Sequence, residues 1–200
     1  MSHFIEYSIP NKSFIMKNVL IVSGHPDLGQ SVANKTILEI VAQALPDAHI
    51  RKLDALYPNY QFDIAAEQDA LLNADVIVWQ FPFSWYSVPG LMKLWIDQVF
   101  LHGFAHGSQG KLGGKKLLLS ITTGAPAAVY QKDGAFGYTM QELMAQFEIT
   151  AKLCNLDFQT PIYTNGISYV GRDAEAIQAQ KTAAKEHAER LIAKIKELTA

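Results

Sequence analysis

Residues 75–100 decide the fold, and they read Asp-Val-Ile-Val-Trp-Gln-Phe-Pro-Phe-Ser-Trp-Tyr-Ser-Val-Pro-Gly-Leu-Met-Lys-Leu-Trp-Ile-Asp-Gln-Val-Phe. Residues 76–79 form a short apolar, β-branched run that is typical of a buried parallel strand. A loop rich in proline and aromatic residues follows, and it leads into a helical pattern whose first turn suits Pro89. Ligands of open α/β sheets bind outside the carboxyl ends of the strands, so this loop is placed to lie against a flat ligand. Burial in the core is an equally consistent interpretation for its four aromatic residues, Phe81, Phe83, Trp85 and Tyr86.

Strand patterns alternate with helical patterns along the rest of the chain. Strands are predicted at 19–23, 49–53, 76–79, 116–121 and 158–163, and helices at 31–45, 63–73, 89–100, 138–155 and 173–198. In the second helix, Leu71 and Leu72 are expected to be buried. The alternation predicts a parallel sheet covered on both faces. Five strands fit the doubly wound, flavodoxin-like order 2-1-3-4-5, preceded by an N-terminal extension at residues 1–15, with the domain itself at 16–200.

Composition narrows the class of protein. The 200 residues are 49% apolar and 18% charged, which suits one soluble domain. A net charge of −2 offers no basic field for nucleic acid. Cys154 is the single cysteine, so no intramolecular disulfide can form; a reducing, cytoplasmic location and a buried structural thiol are expected. No run has the length of a membrane span, residues 1–15 do not resemble a secretory signal, and no metal site is predicted.

Two further loops are expected at the same edge of the sheet. The first precedes a helix that begins near Ser31, so the first amides of that helix are free to bind an anion. Ser31 as a plain N-cap and His25 as an ordinary loop histidine are the alternatives. In the second loop, residues 122–126, a glycine lets the backbone approach a ligand, unless it serves turn geometry alone. G-x-G-x-x-G and Walker lysine patterns are absent. Together, an anion site, an aromatic loop and a close backbone edge suit a phosphorylated planar ring such as FMN.

The order and spacing of several sequence blocks between Met16 and Tyr169 resemble the NAD(P)H:quinone oxidoreductases of the DT-diaphorase type. The chain is especially similar to the short bacterial members, which include general-stress oxidoreductases and the ancillary reductase of the glutathione-regulated potassium efflux system. The blocks are Val19-Leu-Ile-Val22 with His25, Ser31-Val-Ala-Asn34, Ile64-Ala-Ala-Glu-Gln68, Ala74 to Pro89, Leu94-Trp-Ile-Asp-Gln-Val-Phe100 and Ser120-Ile-Thr-Thr-Gly124. The resemblance implies a flavodoxin-like fold with a flavin at a homodimer interface.

The resemblance also implies site residues. Those expected to contact the phosphate and ribityl chain are His25, Ser31, Val32, Ala33 and Asn34. Those expected to border the isoalloxazine ring are Phe83, Ser84, Trp85 and Tyr86, with Thr122, Thr123, Gly124 and Ala125 at its other polar edge. Gln68 is a lower-ranked phosphate contact, and Tyr130 is expected in the substrate pocket. The charge-relay tyrosine and histidine of the vertebrate enzymes are replaced by Asn165 and Tyr169. The long C-terminal extension of those enzymes is missing, which favours FMN over FAD.

The implied activity is hydride transfer from NAD(P)H through flavin N5 to a quinone, in a ping-pong cycle because both substrates use the same space. NADH and NADPH are not distinguished, and no catalytic side chain is assigned. Two alternatives stay open. One is a regulatory subunit of a potassium efflux antiporter, associated peripherally with the inner face of the membrane. The other is a flavodoxin-type electron carrier, although such carriers are typically strongly acidic.

Overall fold

The computed structural model describes residues 17–200, and the predicted extension at 1–15 lies outside this range. The strands are β1 (Val19–Ser23), β2 (His49–Lys52), β3 (Val76–Pro82), β4 (Lys116–Thr122), β5 (Asp157–Phe158) and β6 (Ile162–Thr164). The α-helices are α1 (Ala33–Ala44), α2 (Leu53–Leu56), α3 (Ile64–Asn73), α4 (Gly90–Val99), α5 (Met140–Leu143), α6 (Ala145–Leu153) and α7 (Ala174–Thr199). No helix in this range combines the length and hydrophobicity that a membrane span requires.

The sheet is parallel, with the order β2-β1-β3-β4-β5, and β6 also pairs with β4. The predicted flavodoxin-like order is therefore confirmed. Side chains that alternate along β1 enter two separate cores: Leu20 and Val22 pack with α3, α4 and α6, whereas Ile21 packs with α1 and α7. Both faces of the sheet are thus covered, and its carboxyl edge remains open for a ligand.

The predicted fifth strand is divided into β5 and β6. Pro161 lies between them, and a proline has no N–H to donate to a sheet. Both pieces still pair with β4, so the topology is unchanged. The helix predicted at 138–155 is also divided. It begins with a capping box of Thr139 and Glu142, and at Met144 the amide donates to Gln141 O three residues earlier, which separates α5 from α6.

One burial prediction from the sequence differs from the structure. Leu72 is 38% exposed, although Leu71 is fully buried as expected. On α4, Leu91, Met92, Trp95 and Val99 are buried, whereas Leu94 and Ile96 are partly exposed. The aromatic side chains of this region pack with one another. Cys154 is buried as expected, and burial raises its pKa.

Candidate functional site

A cavity of about 640 Å³ opens at the carboxyl edge of the sheet, and we call it the edge cavity. Ten of the residues predicted for a flavin site line it: His25, Ser31, Val32, Ala33, Asn34, Phe83, Ser84, Trp85, Thr122 and Gly124. Seven further residues complete its lining: Asp27, Gln30, Pro82, Ile167, Tyr169, Arg172 and Gln180. Its volume lies in the range of small-molecule and cofactor sites.

The start of α1 presents hydrogen-bond donors to the edge cavity. Ser31 Oγ accepts from Asn34 N at 3.1 Å and from Asn34 Nδ2 at 3.3 Å, so its own hydroxyl proton is left to donate. Within residues 17–200, the amides of Val32 and Ala33 donate to no protein acceptor. Because α1 is 12 residues long, the positive end of its dipole reinforces these donors. Ser31 therefore caps the helix and can also bind an anion.

A buried polar network fixes this donor group to the sheet. Asn34 Oδ1 accepts from Gln80 Nε2 at 2.5 Å, and Asn34 Nδ2 donates to Thr122 Oγ1 at 3.0 Å. Ser23 Oγ donates to Gln80 Oε1 at 3.2 Å. The side chains of Asn34, Gln80 and Ser23 are almost fully buried. Asn34 was predicted as a ligand contact, but its amide group is bonded to the protein and positions the start of α1 against β3 and β4.

The neutral form of the His25 ring has a defined tautomer. Its Nδ1 accepts from the amide of Asp27 at 3.1 Å. Burial lowers the pKa of His25 and outweighs the opposite effect of Asp54 and Asp27. The remaining proton is then on Nε2, which makes the ring a hydrogen-bond donor at the cavity.

Trp85 and Tyr86 occupy a backbone conformation that bulky residues rarely adopt. Their φ angles are +49° and +64°, and Ser87 N donates to Ser84 O at 3.0 Å, as in a type I′ turn. Such turns normally contain asparagine, aspartate or glycine, and a left-handed non-glycine residue is strained by about 1–2 kcal/mol. The Trp85 side chain is 93% exposed, which excludes it from the core. Strain that is retained at an exposed aromatic residue favours a ligand-binding role.

The alternative of core burial is correct for Phe81, which belongs to the end of β3 and is fully buried. Phe83 is 9% exposed and packs with the core, but it also lines the cavity. Tyr86 lies beside the cavity rather than in its lining and packs edge-on against Phe136, with ring centroids 5.5 Å apart. Phe136 in turn packs against Tyr130 at 5.3 Å. Tyr130 is thereby brought next to the Trp85–Tyr86 turn, and burial raises its pKa.

Gln146 of α6 holds this turn in place. Its Nε2 donates to Tyr86 O at 2.8 Å, and its Oε1 accepts from Ser87 Oγ at 2.8 Å. The side-chain amide of Gln146 therefore hydrogen-bonds to the second half of the turn through both its nitrogen and its oxygen. No feature of the sequence indicated this residue, because its partners lie about sixty positions away.

Three other residues named from the sequence lie outside the cavity lining. Thr123 N and Ile167 N take part in backbone hydrogen bonds that join the loop after β4 to the segment after β6, and Asn165 donates to Thr123 Oγ1 at 2.9 Å. Ala125 O accepts from Gly166 N in the same arrangement. These residues support the cavity wall. Gln68 donates to Val99 O at the end of α4 and does not line the edge cavity.

Arg172 and Gln180 line the edge cavity, although the sequence analysis gave them no role. Asp173 caps α7, and it accepts from Ala176 N at 2.8 Å. A usable signal was present, because the segment between the last strand and the next helix lies on the carboxyl side of a doubly wound sheet.

The fold defines the chain as a flavodoxin-like protein with a cavity at the carboxyl edge of its sheet. Residues 17–188 match the family model described as "Flavodoxin-like fold", and the chain belongs to that family. It is 42% identical over 176 residues to the glutathione-regulated potassium-efflux system ancillary protein KefF of Enterobacter sp. (strain 638), covering 87% of this chain and 95% of the relative.

Two solved structures are similar to this chain over most of both lengths. One is the general stress protein 14 of Treponema denticola in complex with FMN, with 36% identity, a TM-score of 0.77, and coverage of 88% of this chain and 98% of the other. The second is an NADPH-quinone reductase from P. pentosaceus, with 29% identity, a TM-score of 0.64, and coverage of 86% and 98%. The resemblance to the quinone reductase family that the sequence blocks indicated is confirmed.

Proposed function

We propose that this protein is an FMN-dependent NAD(P)H:quinone oxidoreductase. The observation that carries the proposal is the pairing, in one cavity, of a free helix N-terminus with an exposed tryptophan held in a strained turn. The helix end fits a phosphate, and the turn fits the edge of a flat ring. FMN combines these two chemical groups. A similar structure is named as a complex with FMN and another as an NADPH-quinone reductase, which supports the proposal.

Bound FMN would supply the redox chemistry by accepting a hydride from NAD(P)H and passing it to a quinone. The protein itself would bind the flavin and orient it. The amides of Val32 and Ala33 and the hydroxyl of Ser31 would donate to the phosphate, and His25 Nε2–H would add a further donor. Trp85 and Phe83 would border the ring. Gly124 would allow the backbone to approach the ring's polar edge, where backbone amides could stabilise negative charge.

The test begins with the purified protein. We expect a yellow protein that releases FMN on acid treatment, as identified by chromatography. Stopped-flow mixing with NADPH or NADH should bleach the flavin absorbance, and a quinone added afterwards should restore it. Initial rates at several concentrations of both substrates should give the parallel lines of a ping-pong cycle. Release of FAD alone would change the cofactor, and lack of binding of either flavin would contradict the proposal. A flavin that NAD(P)H does not reduce would favour the electron carrier.

We also propose a homodimer, which the family resemblance implies. Aromatic side chains remain exposed on the single chain: Trp85, Tyr86, Phe136, Tyr138 and Tyr169. Trp85 and Tyr169 of this group line the edge cavity. A second copy that covers this surface would bury it by two-fold pairing. Light scattering of the flavin-loaded protein at micromolar concentration should give twice the mass of one chain. A single-chain mass would contradict pairing.

A second candidate function is supported by one observation, the 42% identity to a relative named as an ancillary protein of a potassium-efflux system. In this function the chain binds the cytosolic domain of an antiporter, and reduction is secondary. Co-purification with such a domain, retained in a variant that no longer binds flavin, would support it. If the variant no longer co-purified with the antiporter domain, binding of that domain would depend on the flavin site.

A further inference from the structure

Asp54 does not line the edge cavity, but it is hydrogen-bonded to the loop that forms one side of it. Its Oδ2 accepts from the amide of Leu28 at 2.7 Å, a charge-assisted hydrogen bond between residues 26 positions apart. The two residues meet because β1 and β2 are paired. Ser23 is opposite Lys52, so the segments that follow the two strands leave the sheet side by side. The contact therefore joins the loop after β1 to α2.

Leu28 is the residue through which this contact reaches the start of α1. Its side chain is 6% exposed and packs in the core cluster that α1 and α7 form with the sheet. It begins a short 3₁₀ turn at residues 28–30, and its carbonyl oxygen accepts from Ser31 N at 3.1 Å where that turn ends. The next amides are those of Val32 and Ala33, which donate to no acceptor in the described part of the chain. The position of Leu28 therefore sets the position of these donors.

The Asp54 carboxylate is only half satisfied by the protein. Its Oδ1 is shielded from solvent and has no hydrogen-bond partner within residues 17–200, and the ion pairs found in that range do not include it. A buried carboxylate oxygen without a donor is unfavourable, so Asp54 is a poor choice for stability alone. The carboxylate also lies near the cavity. Burial lowers the pKa of His25, and the strongest opposing effect comes from Asp54.

We propose that Asp54 is a positioning residue for the phosphate of the flavin. By holding the amide of Leu28, it fixes the turn at residues 28–30 and keeps the Ser31 hydroxyl and the two free amides of α1 in the arrangement that receives the phosphate. Donors that are ordered before binding give a higher affinity, because the ligand does not have to offset the cost of ordering them. This inference rests on the proposed function, and it adds to the site a residue that does not touch the ligand.

The test compares two ligands that differ only in the phosphate. The full chain, freed of flavin, is titrated with FMN and with riboflavin, and binding is followed by quenching of flavin fluorescence. Asp54→Leu removes the acceptor of the Leu28 amide, and it should weaken FMN binding about tenfold and riboflavin binding by less than about twofold. Loss of a negative charge alone would tighten FMN binding, so a weaker affinity cannot be a charge effect.

Rescue and control variants separate the hydrogen bond from other causes. Asp54→Asn retains an oxygen that can accept from Leu28 N, and it should keep the FMN affinity within about threefold of the wild type. Asp47→Ala is the matched control, because Asp47 is an exposed carboxylate before β2 rather than after it, and it should change neither affinity. Melting temperatures of the flavin-free variants establish that they are folded. Asp54→Ala replaces Asp54→Leu if the leucine variant does not fold.

Several outcomes would overturn the inference. Equal weakening of FMN and riboflavin by Asp54→Leu would show that the residue supports the cavity in general, and failure of both apolar variants to fold would make it a structural residue. Unchanged FMN affinity in a folded variant would remove Asp54 from the site. A loss in Asp54→Asn as large as that in Asp54→Leu would exclude the Leu28 hydrogen bond as the cause. Wild-type protein that binds neither flavin would contradict the proposed function itself, before any substitution is made.

Discussion

Two groups of buried polar side chains in this molecule differ in how completely their hydrogen bonds are satisfied. Glu67 is 1% exposed and accepts three hydrogen bonds from side chains: Arg51 Nε and Tyr57 OH at 2.6 Å each, and Trp95 Nε1 at 3.0 Å. At the edge cavity, by contrast, Gln180 Oε1 has no partner and Ser31 retains a free proton.

The difference separates polar groups whose hydrogen bonds the protein already satisfies from polar groups that are free to bind a ligand. A buried carboxylate is often a candidate for catalysis, but both oxygens of Glu67 already have donors, which come from β2, from α4 and from Tyr57 after α2, and Glu67 does not line the edge cavity. It stabilises the packing of β2, α3 and α4. The cavity groups are held by the protein on one side and are open on the other. Burial is therefore less informative about function than the donors and acceptors that remain free.

The largest expected effect on stability comes from removing the Glu67 carboxylate, whose hydrogen bonds are all satisfied. Glu67→Leu would leave the Arg51 charge and two neutral donors without their acceptor, and we expect the free energy of unfolding to fall by about 3–5 kcal/mol. Urea denaturation of the flavin-free protein measures this change in the free energy of unfolding. Asp97→Asn is the matched control, since the Lys93–Asp97 pair is exposed, and it should change stability by no more than about 0.5 kcal/mol. A loss below about 1 kcal/mol for Glu67→Leu would contradict the assignment.

His187 provides a test of a second satisfied group, directly below the cavity. Its Nε2 lies 2.8 Å from Ser120 Oγ and its Nδ1 2.9 Å from Thr164 Oγ1, and the ring is fully buried. Burial, with a smaller contribution from Arg190, lowers its pKa from 6.5 to about 3. As the pH falls below 6.5, the unfolded chain binds a proton that the folded chain does not, so stability decreases until the pH approaches 3.

We therefore expect His187 to contribute a loss of about 2 kcal/mol in unfolding free energy between neutral pH and pH 5. Urea denaturation of wild type and His187→Phe at both pH values isolates this contribution as the difference between the two pH dependences. His49→Gln, on the exposed end of β2, should retain the wild-type dependence. Equal pH dependence in His187→Phe and wild type would show that this histidine is not the cause.

Local sequence patterns predicted the sheet order because strand patterns alternate with helical patterns along the chain, as in doubly wound parallel sheets. The start of α1 was predictable for the same reason. The network that holds it was not, because Asn34 bonds to Gln80 and Thr122, which lie 46 and 88 positions away. Those pairings exist only once β3 and β4 are adjacent in the folded sheet.

Trp85 shows a different limit of sequence reasoning. From residue propensities, a tryptophan is expected to be buried and to have a right-handed helical or extended backbone. The observed left-handed turn contradicts that expectation. The resemblance to the quinone reductases pointed to the segment, but only the structure separates exposed Trp85 from buried Phe81. Gln180 was missed because its helical position suggests a core residue, and its free oxygen is apparent only beside the cavity.

Substitution of Trp85 tests the ligand-facing group. Trp85→Ala should weaken flavin binding about tenfold, since an aromatic contact and its packing area are lost. The flavin-free protein should keep its stability, because the side chain is 93% exposed. Trp85→Gly should weaken flavin binding equally and raise the stability of the flavin-free protein by about 1 kcal/mol, because glycine adopts the turn without strain. Unchanged flavin affinity with a lower melting temperature would instead make Trp85 a structural residue.

The smallest expected effect concerns Gln146, which contacts the turn but not the cavity. Gln146→Leu removes the hydrogen bonds to Tyr86 O and Ser87 Oγ, so the strained turn must be held by its remaining contacts. Because both bonds are exposed to solvent, we expect flavin affinity to fall only about threefold, with little change in melting temperature. Gln141→Leu is the control, since the Gln141 side chain donates only to Glu148, in a solvent-exposed hydrogen bond, and its loss should leave the affinity unchanged. Combining Gln146→Leu with Trp85→Gly sharpens the test. In the unstrained turn the Gln146 substitution should have no further effect on flavin binding, and a full, additive loss would show that Gln146 does not act through Trp85.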